Sequence, residues 1–325
     1  MKAPLEIGLI GLGRMGQVHA RILARQVERA RLVAVADVDR ERAHSVAERL
    51  DVAHWYDDPA DLLARSDIQA VYIATPSHTH PDLVRAAAQA GRDIFCEKPF
   101  ALTLADADRA IAAAARAGVR LQIGFMRRTQ PEYRRLKAAI QAGELGRPVL
   151  FRSTQRDTNA PPASFCDPAV SGGIFVDMGV HEFDLARWLF EDEIQAVQAF
   201  GSALVFPEIA AAGDLDNACV NLQFRGGAVG TVDLSRNARY GEDIRTEVVG
   251  SAGGRFVGSW PLGRLVRRDP ESLIDDRYRP EAQAFVDAVL DEGPLPATGA
   301  DSRAALAIAL AARESARSGK TIMIE

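Results

Sequence analysis

A chain of 325 residues is long enough to form two domains with separate hydrophobic cores. Its 47% hydrophobic and 26% charged residues are ordinary for a globular protein, and its net charge of -5 argues against a nucleic-acid partner. Three scattered cysteines exclude a disulfide framework, and no uncharged apolar run reaches the ~20 residues of a membrane span. We therefore expect a cytoplasmic protein with neither a membrane nor a nucleic acid as its partner.

The N-terminal stretch predicts a strand, a glycine-rich turn and a helix. Leu5–Ile10 is an apolar run of strand length, and the pattern Gly-x-Gly-x-x-Gly follows it directly. In this pattern Gly11 permits a tight turn, Gly13 lets the backbone approach a pyrophosphate, and Gly16 allows close helix packing. Asp37 ends the next predicted strand, close to where this fold places the acid that binds a ribose 2'-hydroxyl. Together these features predict a dinucleotide site.

Strands and helices continue to alternate as far as residue 123, which predicts an N-terminal Rossmann domain, a doubly wound parallel sheet over residues 1–123. Ligands bind outside the carboxyl ends of such strands, so Thr75 and Pro76, after the third predicted strand, should line the cofactor cleft. His78 and His80 come next and could form a metal pair. Because no third ligand of suitable spacing lies nearby, helix entry or cofactor packing is the favoured role, and no metal site is predicted.

The next predicted strand ends in Glu97, Lys98 and Pro99. Pro99 cannot continue the hydrogen-bonded ladder, so the strand stops there and Lys98 faces the crevice. A lysine at the floor of a crevice can lose part of its hydration, which lowers its pKa until it exchanges protons near neutrality. The alternative is a surface ion pair between Glu97 and Lys98, which would contribute little energy.

After Gly124 the pattern changes, because predicted strands follow one another without regular intervening helices. Residues 124–325 are therefore predicted to form a C-terminal α/β domain with a largely antiparallel open sheet, for substrate binding and oligomerisation. The predicted strands are Val149–Thr154, Ala196–Leu204, Ala218–Phe224, Ala228–Ser235 and Arg245–Val249. Two predicted helices, Pro280–Leu290 and Asp301–Ser318, close the chain.

Asp177 and His181 form the second candidate site. The apolar pattern through Leu189 predicts one helix, on which these residues stand four apart and share a face, with Asp184 one turn further. A carboxylate one turn from an imidazole can raise its pKa and fix its orientation, which suits a general base at neutral pH. The alternative is an ion pair between the two residues on the helix surface. A metal site is the less favoured interpretation, because two ligands are too few to form one.

Taken together, four motifs resemble the Gfo/Idh/MocA oxidoreductase family. They are Gly11-x-Gly13-x-x-Gly16, Ala74-Thr75-Pro76, Glu97-Lys98-Pro99 and Gly172-Gly173-x-x-x-Asp177-x-Gly179-x-His181. Within the family the chain is most similar to the inositol 2-dehydrogenases, through Gly124 to Arg128, Tyr133 to Leu136, Arg156-Asp157 and the C-terminal tail. One departure is Ser171, which stands where the family commonly has the first of three glycines.

The resemblance implies an NAD-dependent enzyme, usually a homotetramer assembled through the open sheet. It also implies that Lys98, Asp177 and His181 form the catalytic group, and that His181 takes the hydroxyl proton as hydride leaves for the nicotinamide. The implied cofactor contacts are Gly11, Gly13, Arg14, Met15, Gly16, Asp37, Thr75, Pro76, His80, Glu97 and Lys98. The implied substrate contacts are Arg127, Asp157, Asp177, His181 and Tyr240. Asn159 and Asp184 are further candidates to line a pocket for a ring of hydroxyls.

Asp37 favours NAD over NADP, because a carboxylate accepts hydrogen bonds from a free ribose diol and repels a 2'-phosphate. Arg40 and Arg42 leave some tolerance for NADP. The predicted reaction is oxidation of one secondary alcohol of a neutral cyclic polyol, an inositol, to a ketone. Three alternatives stay open, namely a dehydrogenase of an aldose or sugar phosphate, an NAD-dependent glycosidase, and an NAD-binding regulator without turnover.

Overall fold

The computed structural model of the protein describes residues 3–158, 161–162, 165–258 and 270–324. Its strands are β1 Leu5–Ile10, β2 Ala30–Ala36, β3 His54–Tyr56, β4 Ala70–Ile73, β5 Asp93–Cys96, β6 Leu121–Ile123, β7 Pro148–Arg156, β8 Ile194–Ser202, β9 Asn217–Phe224, β10 Val229–Ser235, β11 Asp243–Gly250, β12 Gly254–Gly258 and β13 Ile322–Met323. Its α-helices are α1 Arg14–Arg25, α2 Arg40–Leu50, α3 Pro59–Leu63, α4 His80–Gln89, α5 Leu104–Ala117, α6 Pro131–Gln141, α7 Pro168–Ser171, α8 Gly173–Asp177, α9 Gly179–Phe190, α10 Pro207–Ala211, α11 Pro270–Asp291 and α12 Gly299–Ser318.

The chain divides into two compact units. The first consists of Met1–Gln130 and Arg267–Arg303, and the second of Pro131–Val266 and Ala304–Glu325. The boundary predicted after residue 123 lies near the first division point. The prediction assigned all of 124–325 to one domain, however, whereas the chain returns to the first unit through α11.

The first unit carries a parallel sheet with the strand order β3-β2-β1-β4-β5-β6. This arrangement confirms the predicted doubly wound sheet. Strand order reverses beside β1, so the segments after β1, β4 and β5 leave the same edge of the sheet next to one another. These segments contain the glycine turn, Thr75 and Glu97, respectively.

Local capping sets the bounds of α2 and α5. The side chain of Asp39 accepts the Arg42 N-H at the start of α2, and Thr103 accepts the Asp106 N-H at the start of α5. Gly118 ends α5 with a φ of +68°, a conformation that glycine adopts without steric cost. Each of these signals lies within four residues of the helix end that it defines.

The returning helix α11 completes the hydrophobic core of the first unit. Ala282, Phe285 and Val286 are fully buried, and the Phe285 ring lies edge-on to Tyr72 with 5.4 Å between ring centroids. The sequence predicts a helix from Pro280 to Leu290. In the structure Pro280 lies inside α11, which already begins at Pro270.

The second unit carries a sheet with the order β12-β11-β7-β10-β9-β8-β13, antiparallel except between β7 and β10. It confirms the predicted, largely antiparallel sheet. Helix α9 covers one face, where Ser153 donates a hydrogen bond to Glu182. Strand register places Phe200, Val229 and Phe256 on the opposite face, and each is at least half exposed.

The segment around Asp177 differs from the prediction of one helix through Leu189. Three helices, α7, α8 and α9, follow one another instead. Gly172 and Gly173 have φ angles of +84° and +74°, which separates α7 from α8, and a break at Met178 separates α8 from α9. Asp177 therefore ends one helix while His181 lies in the first turn of the next. The prediction that both residues share one continuous helix is wrong.

Candidate active site

The glycine turn between β1 and α1 has the geometry of a phosphate cradle. A Cβ atom on Gly16 would lie 1.9 Å from the carbonyl oxygen of Gly11, and one on Gly11 would lie 2.7 Å from the backbone of Ala74. A Cβ on Gly13 would meet no atom of the described residues within 4 Å. Gly13 caps α1 without a side-chain hydrogen bond, and the first turn of α1 has no acidic residue. The free space and the helix N-terminus fit a dinucleotide pyrophosphate.

Asp37 lies at the carboxyl end of β2 and is buried. One carboxylate oxygen accepts the Leu12 N-H at 2.7 Å and the other accepts the Asp39 N-H at 2.9 Å, which ties the glycine turn to the end of β2. Arg42 also bonds Asp37, at 3.1 Å, and pairs with Asp39. Asp37 therefore lies beside the glycine turn, with the guanidinium of Arg42 at its carboxylate.

His80 links two of the segments at the sheet edge. Its Nδ1 lies 2.8 Å from the carbonyl oxygen of Pro99 and its Nε2 lies 2.9 Å from that of Thr75. Burial lowers the pKa of His80, although both carbonyl oxygens oppose this effect. Because each ring nitrogen faces a backbone oxygen, the geometry supports the packing role over the metal pair.

Glu97 is buried beneath the start of the loop that carries Lys98. One of its oxygens lies 2.7 Å from Nε2 of His19, and the other accepts the backbone N-H of Lys98 at 3.0 Å. Burial alone would raise the pKa of Glu97, but the bond and charge of His19, together with Lys98, lower it. This geometry excludes the surface ion pair that the sequence left open, because Glu97 is 6% exposed and pairs with His19.

Asp177 in the second unit is held by a buried arginine that the sequence analysis did not single out. Arg236 is 1% exposed and lies 3.4 Å from Asp177 and 3.1 Å from Asp214. Asp214 also accepts the backbone N-H of Ile174 in α8. Burial raises the pKa of Asp214, and the charge of Arg236 opposes that rise. Arg236 thus fixes the end of α8 and balances the charge of the predicted orienting carboxylate.

His181 is buried in the first turn of α9, and its backbone N-H donates to the Met178 carbonyl at 3.3 Å. The next side chains on this helix, Glu182 and Asp184, are also buried. Glu182 accepts the hydroxyl of Ser153, which anchors α9 to β7. His181 consequently occupies a polar, largely enclosed position rather than the helix surface.

The remaining predicted substrate contacts lie in different surroundings. Arg127 is buried in the 3-10 turn Met126–Arg128, and Asp157 directly follows β7. Asn159 lies outside the described residues. The hydroxyl of Tyr240 accepts a bond from Arg156 at 2.9 Å and donates to Asp243 at 3.0 Å. Arg156 and Ser153 lie on opposite faces of β7, so the bonds of Tyr240 do not favour a role beside His181.

Two protein-family models match most of the chain. Residues 5–125 match the model of the oxidoreductase family with an NAD-binding Rossmann fold, and residues 133–255 match the Gfo/Idh/MocA C-terminal domain. The chain belongs to the Gfo/Idh/MocA oxidoreductase family. The resemblance noted from its motifs is confirmed, the first unit is an NAD-binding Rossmann unit, and the cofactor is NAD.

Relatives in this family are similar along their whole length. The chain is 38% identical to the myo-inositol 2-dehydrogenase of Thermotoga maritima, over 99% of each chain. It is 36% identical to the scyllo-inositol 2-dehydrogenase (NAD(+)) of Bacillus subtilis, over 100% of this chain and 98% of that one. The solved scyllo-inositol dehydrogenase of Lactobacillus casei with NAD(H) and scyllo-inositol gives a TM-score of 0.91 at 30% identity, covering 98% of this chain and 99% of that one.

Within the part of the chain that the structure describes, no helix combines the length and apolar character required to cross a bilayer.

Proposed function

We propose that this protein is an NAD-dependent inositol 2-dehydrogenase that oxidises one secondary alcohol of the ring to a ketone. The observation that carries the proposal is the similarity to the myo- and scyllo-inositol enzymes over at least 98% of both chains. That similarity includes the cofactor half and the half that bears Asp177 and His181. An inositol is also a neutral ring of hydroxyls, which can form hydrogen bonds with the buried charged groups of α8 and α9.

We assign proton abstraction to His181, orientation of its ring to Asp177, and stabilisation of the developing alkoxide to Lys98. Bound NAD supplies the hydride acceptor. One observation in each unit supports this assignment. Arg236 holds Asp177 at the end of α8, and Glu97 is ionised directly before Lys98. A carboxylate that orients an imidazole and an adjacent cation that binds the reacting oxygen are the groups that alcohol oxidation requires.

The ion pair of Arg128 favours a neutral polyol over a phosphorylated sugar as the substrate. A phosphorylated substrate requires a cluster of cations, for which the adjacent Arg127 and Arg128 are candidates. Arg128, however, bonds Asp301 at 3.0 Å and the carbonyl oxygen of Pro296 at 3.1 Å, with a nearly buried side chain. Because Asp301 balances its charge, Arg128 is a poor partner for a phosphate dianion.

The decisive experiment compares kcat/KM for myo-inositol and scyllo-inositol with the values for glucose, xylose and their phosphates, by following NADH absorbance. We expect an inositol to lead by tenfold or more, which is about 1.4 kcal/mol of transition-state discrimination. Preference for an aldose or sugar phosphate by that factor contradicts the inositol assignment. Turnover without net NADH would indicate the glycosidase, and NAD binding without turnover of any substrate would indicate the regulator.

We also propose a homotetramer that assembles through the open face of the second sheet. The exposed aromatic and aliphatic side chains Phe200, Val229 and Phe256 on that face support an interface. Light scattering after gel filtration should give four chains per particle, and Phe200→Asp should reduce that number. Val38→Asp, at an 86% exposed residue of the first unit, is the matched control. A monomer in wild type would contradict this assembly.

A cytoplasmic location is proposed as well. Dependence on NAD and three free cysteines, two of them buried, support a reducing compartment. Cell fractionation tests this, and recovery in an extracellular or membrane fraction would contradict it.

A further inference from the structure

Three ionisable side chains from distant parts of the sequence meet inside the first unit, behind the loop that carries Lys98. They are His19 on α1, Glu97 after β5 and Glu281 on α11, which are 0%, 6% and 1% exposed. One nitrogen or oxygen atom of each lies within 4.8 Å of those of the other two. We name these three residues the carboxyl-imidazole cluster.

The hydrogen bonds of Glu97 define its protonation state. One oxygen of Glu97 faces Nε2 of His19 at 2.7 Å, and the other accepts the backbone N-H of Lys98 at 3.0 Å. Burial alone would raise the pKa of Glu97, but the bond and charge of His19 lower it, so Glu97 is a carboxylate and Nε2 of His19 is the donor to it. One negative charge is thus already buried in the cluster, stabilised by His19 and by the nearby charge of Lys98.

Glu281 has a different environment. Neither of its carboxyl oxygens has a hydrogen-bond partner among the described residues. The rings of Tyr72, Phe95 and Tyr278 pack 5.3–5.9 Å from that of His19. Gln122 of β6 donates to the backbone oxygen of Glu281 at 3.3 Å rather than to its carboxyl group. A second buried anion there would be unpaired and would repel Glu97, which is strongly unfavourable. Burial and the charge of Glu97 accordingly raise the pKa of Glu281 well above its ordinary range.

We propose that Glu281 remains a neutral carboxylic acid at neutral pH and is a positioning residue, whose O-H donates toward the Glu97–His19 pair and keeps Glu97 directed at the Lys98 backbone. The three side chains have polar atoms within 4.8 Å of one another, so Glu281 lies close enough for its hydroxyl to be directed at that pair. A neutral Glu281 leaves a single negative charge beside Lys98, whereas an ionised one would place two there. The catalytic part of this inference rests on the dehydrogenase function proposed above, but the protonation state does not.

A bound cation is the competing explanation, because two carboxylates and an imidazole are metal-ligand types. A metal ion on His19 Nε2 requires a free lone pair on that nitrogen. The 2.7 Å contact with Glu97 occupies Nε2, so a cation would have to use Nδ1, which has no hydrogen-bond partner among the described residues. A proton on Glu281 removes the excess charge without any added ion, and the metal content of the purified protein separates the two explanations.

The first test detects the proton itself. Infrared difference spectra of wild type minus Glu281→Gln at pH 7 should show the carbonyl stretch of a neutral carboxylic acid, with a shift in heavy water. No substrate or turnover is needed, so this result stands even if inositol is not the substrate. Absence of the band overturns the proposal. One equivalent of metal in wild type, lost in Glu281→Gln, also overturns it in favour of a cation.

The second test separates positioning from packing. Glu281→Gln keeps a neutral donor of the same shape, while Glu281→Leu keeps the volume without the donor. We expect Glu281→Gln to retain kcat within about threefold, and Glu281→Leu to lower kcat on the order of tenfold to 100-fold, as misdirected catalytic groups do. The affinity for NAD should remain similar to that of wild type in both variants. Equal loss of kcat in the two variants, or no loss in either, contradicts a positioning role.

Discussion

A matched pair of glycine substitutions tests the cofactor cradle, because the same added methyl group meets opposite surroundings. At Gly13 the new Cβ enters free space at the N-terminus of α1. At Gly16 it would lie 1.9 Å from the backbone oxygen of Gly11, which cannot move without distorting the turn. Gly13→Ala should therefore impair NAD binding and spare the fold, whereas Gly16→Ala should impair both.

The magnitudes follow from these contacts. Gly13→Ala obstructs charge-assisted bonds from the backbone to the pyrophosphate, worth about 1.5–3 kcal/mol, or roughly 10- to 150-fold in Kd. As a poorer helix cap, alanine there should cost only about 0.5 kcal/mol of folding free energy. Gly16→Ala should lower the free energy of unfolding by about 3 kcal/mol through overpacking, and the better helix propensity of alanine should offset about 1 kcal/mol of this loss. The net loss of about 2 kcal/mol corresponds to roughly 4–8 °C in Tm for a unit of this size.

The assay combines thermal unfolding without NAD, which reports the fold, and titration of NAD by calorimetry, which reports the cradle. Gly13→Ala should melt within about 2 °C of wild type while its Kd rises, since its folding cost is small. Gly118→Ala, at a positive φ far from the turn, is a control that lowers Tm without changing Kd. If Gly13→Ala lowered Tm as much as Gly16→Ala, or left Kd unchanged, the proposed division of roles would be incorrect.

The other predictions concern charge and protonation. Asp37→Ser should lower the ratio of kcat/KM with NAD to kcat/KM with NADP, because it removes the carboxylate that repels a 2'-phosphate and leaves Arg42 to bind it. An unchanged ratio would show that Asp37 does not determine the choice of cofactor. Lys98→Ala and His181→Ala should each lower kcat by on the order of 100- to 10,000-fold with NAD affinity and Tm near wild type, and unfolding of either variant would point to a structural role. Glu281 has a raised pKa in the folded state, so its contribution to stability is complete below its unfolded pKa and is lost as pH rises toward the folded value. Chemical denaturation should show Glu281→Gln gaining on wild type by about 1.4 kcal/mol per pH unit above roughly pH 4.3, and a pH-independent difference would mean that Glu281 is ionised.

Features set by short stretches of sequence were predictable. The glycine turn, the Glu97-Lys98-Pro99 strand end and the bounds of α2 and α5 depend on residues that are close neighbours in the chain. The short edge strands β3, β12 and β13 were missed, because they carry too few buried residues to show an alternating pattern.

The partners of the site residues were not predictable in the same way. Arg236 meets Asp177 across 59 positions, and nothing in either local pattern announces the pairing. His19 and Glu281 did leave a signal, since each is a polar residue on a helix face that is otherwise apolar and buried. Such a residue indicates a buried partner without identifying it, because the partner depends on which helices pack together.

The return of α11 to the first unit also affects how the chain is synthesised. The core of the NAD-binding unit needs Ala282, Phe285 and Val286, which leave the ribosome only after the sheet strands β7 to β12 of the second unit. The N-terminal sheet must therefore wait with part of its apolar surface uncovered while more than half of the chain is still being made. A nascent chain arrested before α11 should bind chaperones and fail to bind NAD. A chain arrested after α11 has emerged should bind NAD and no longer bind chaperones.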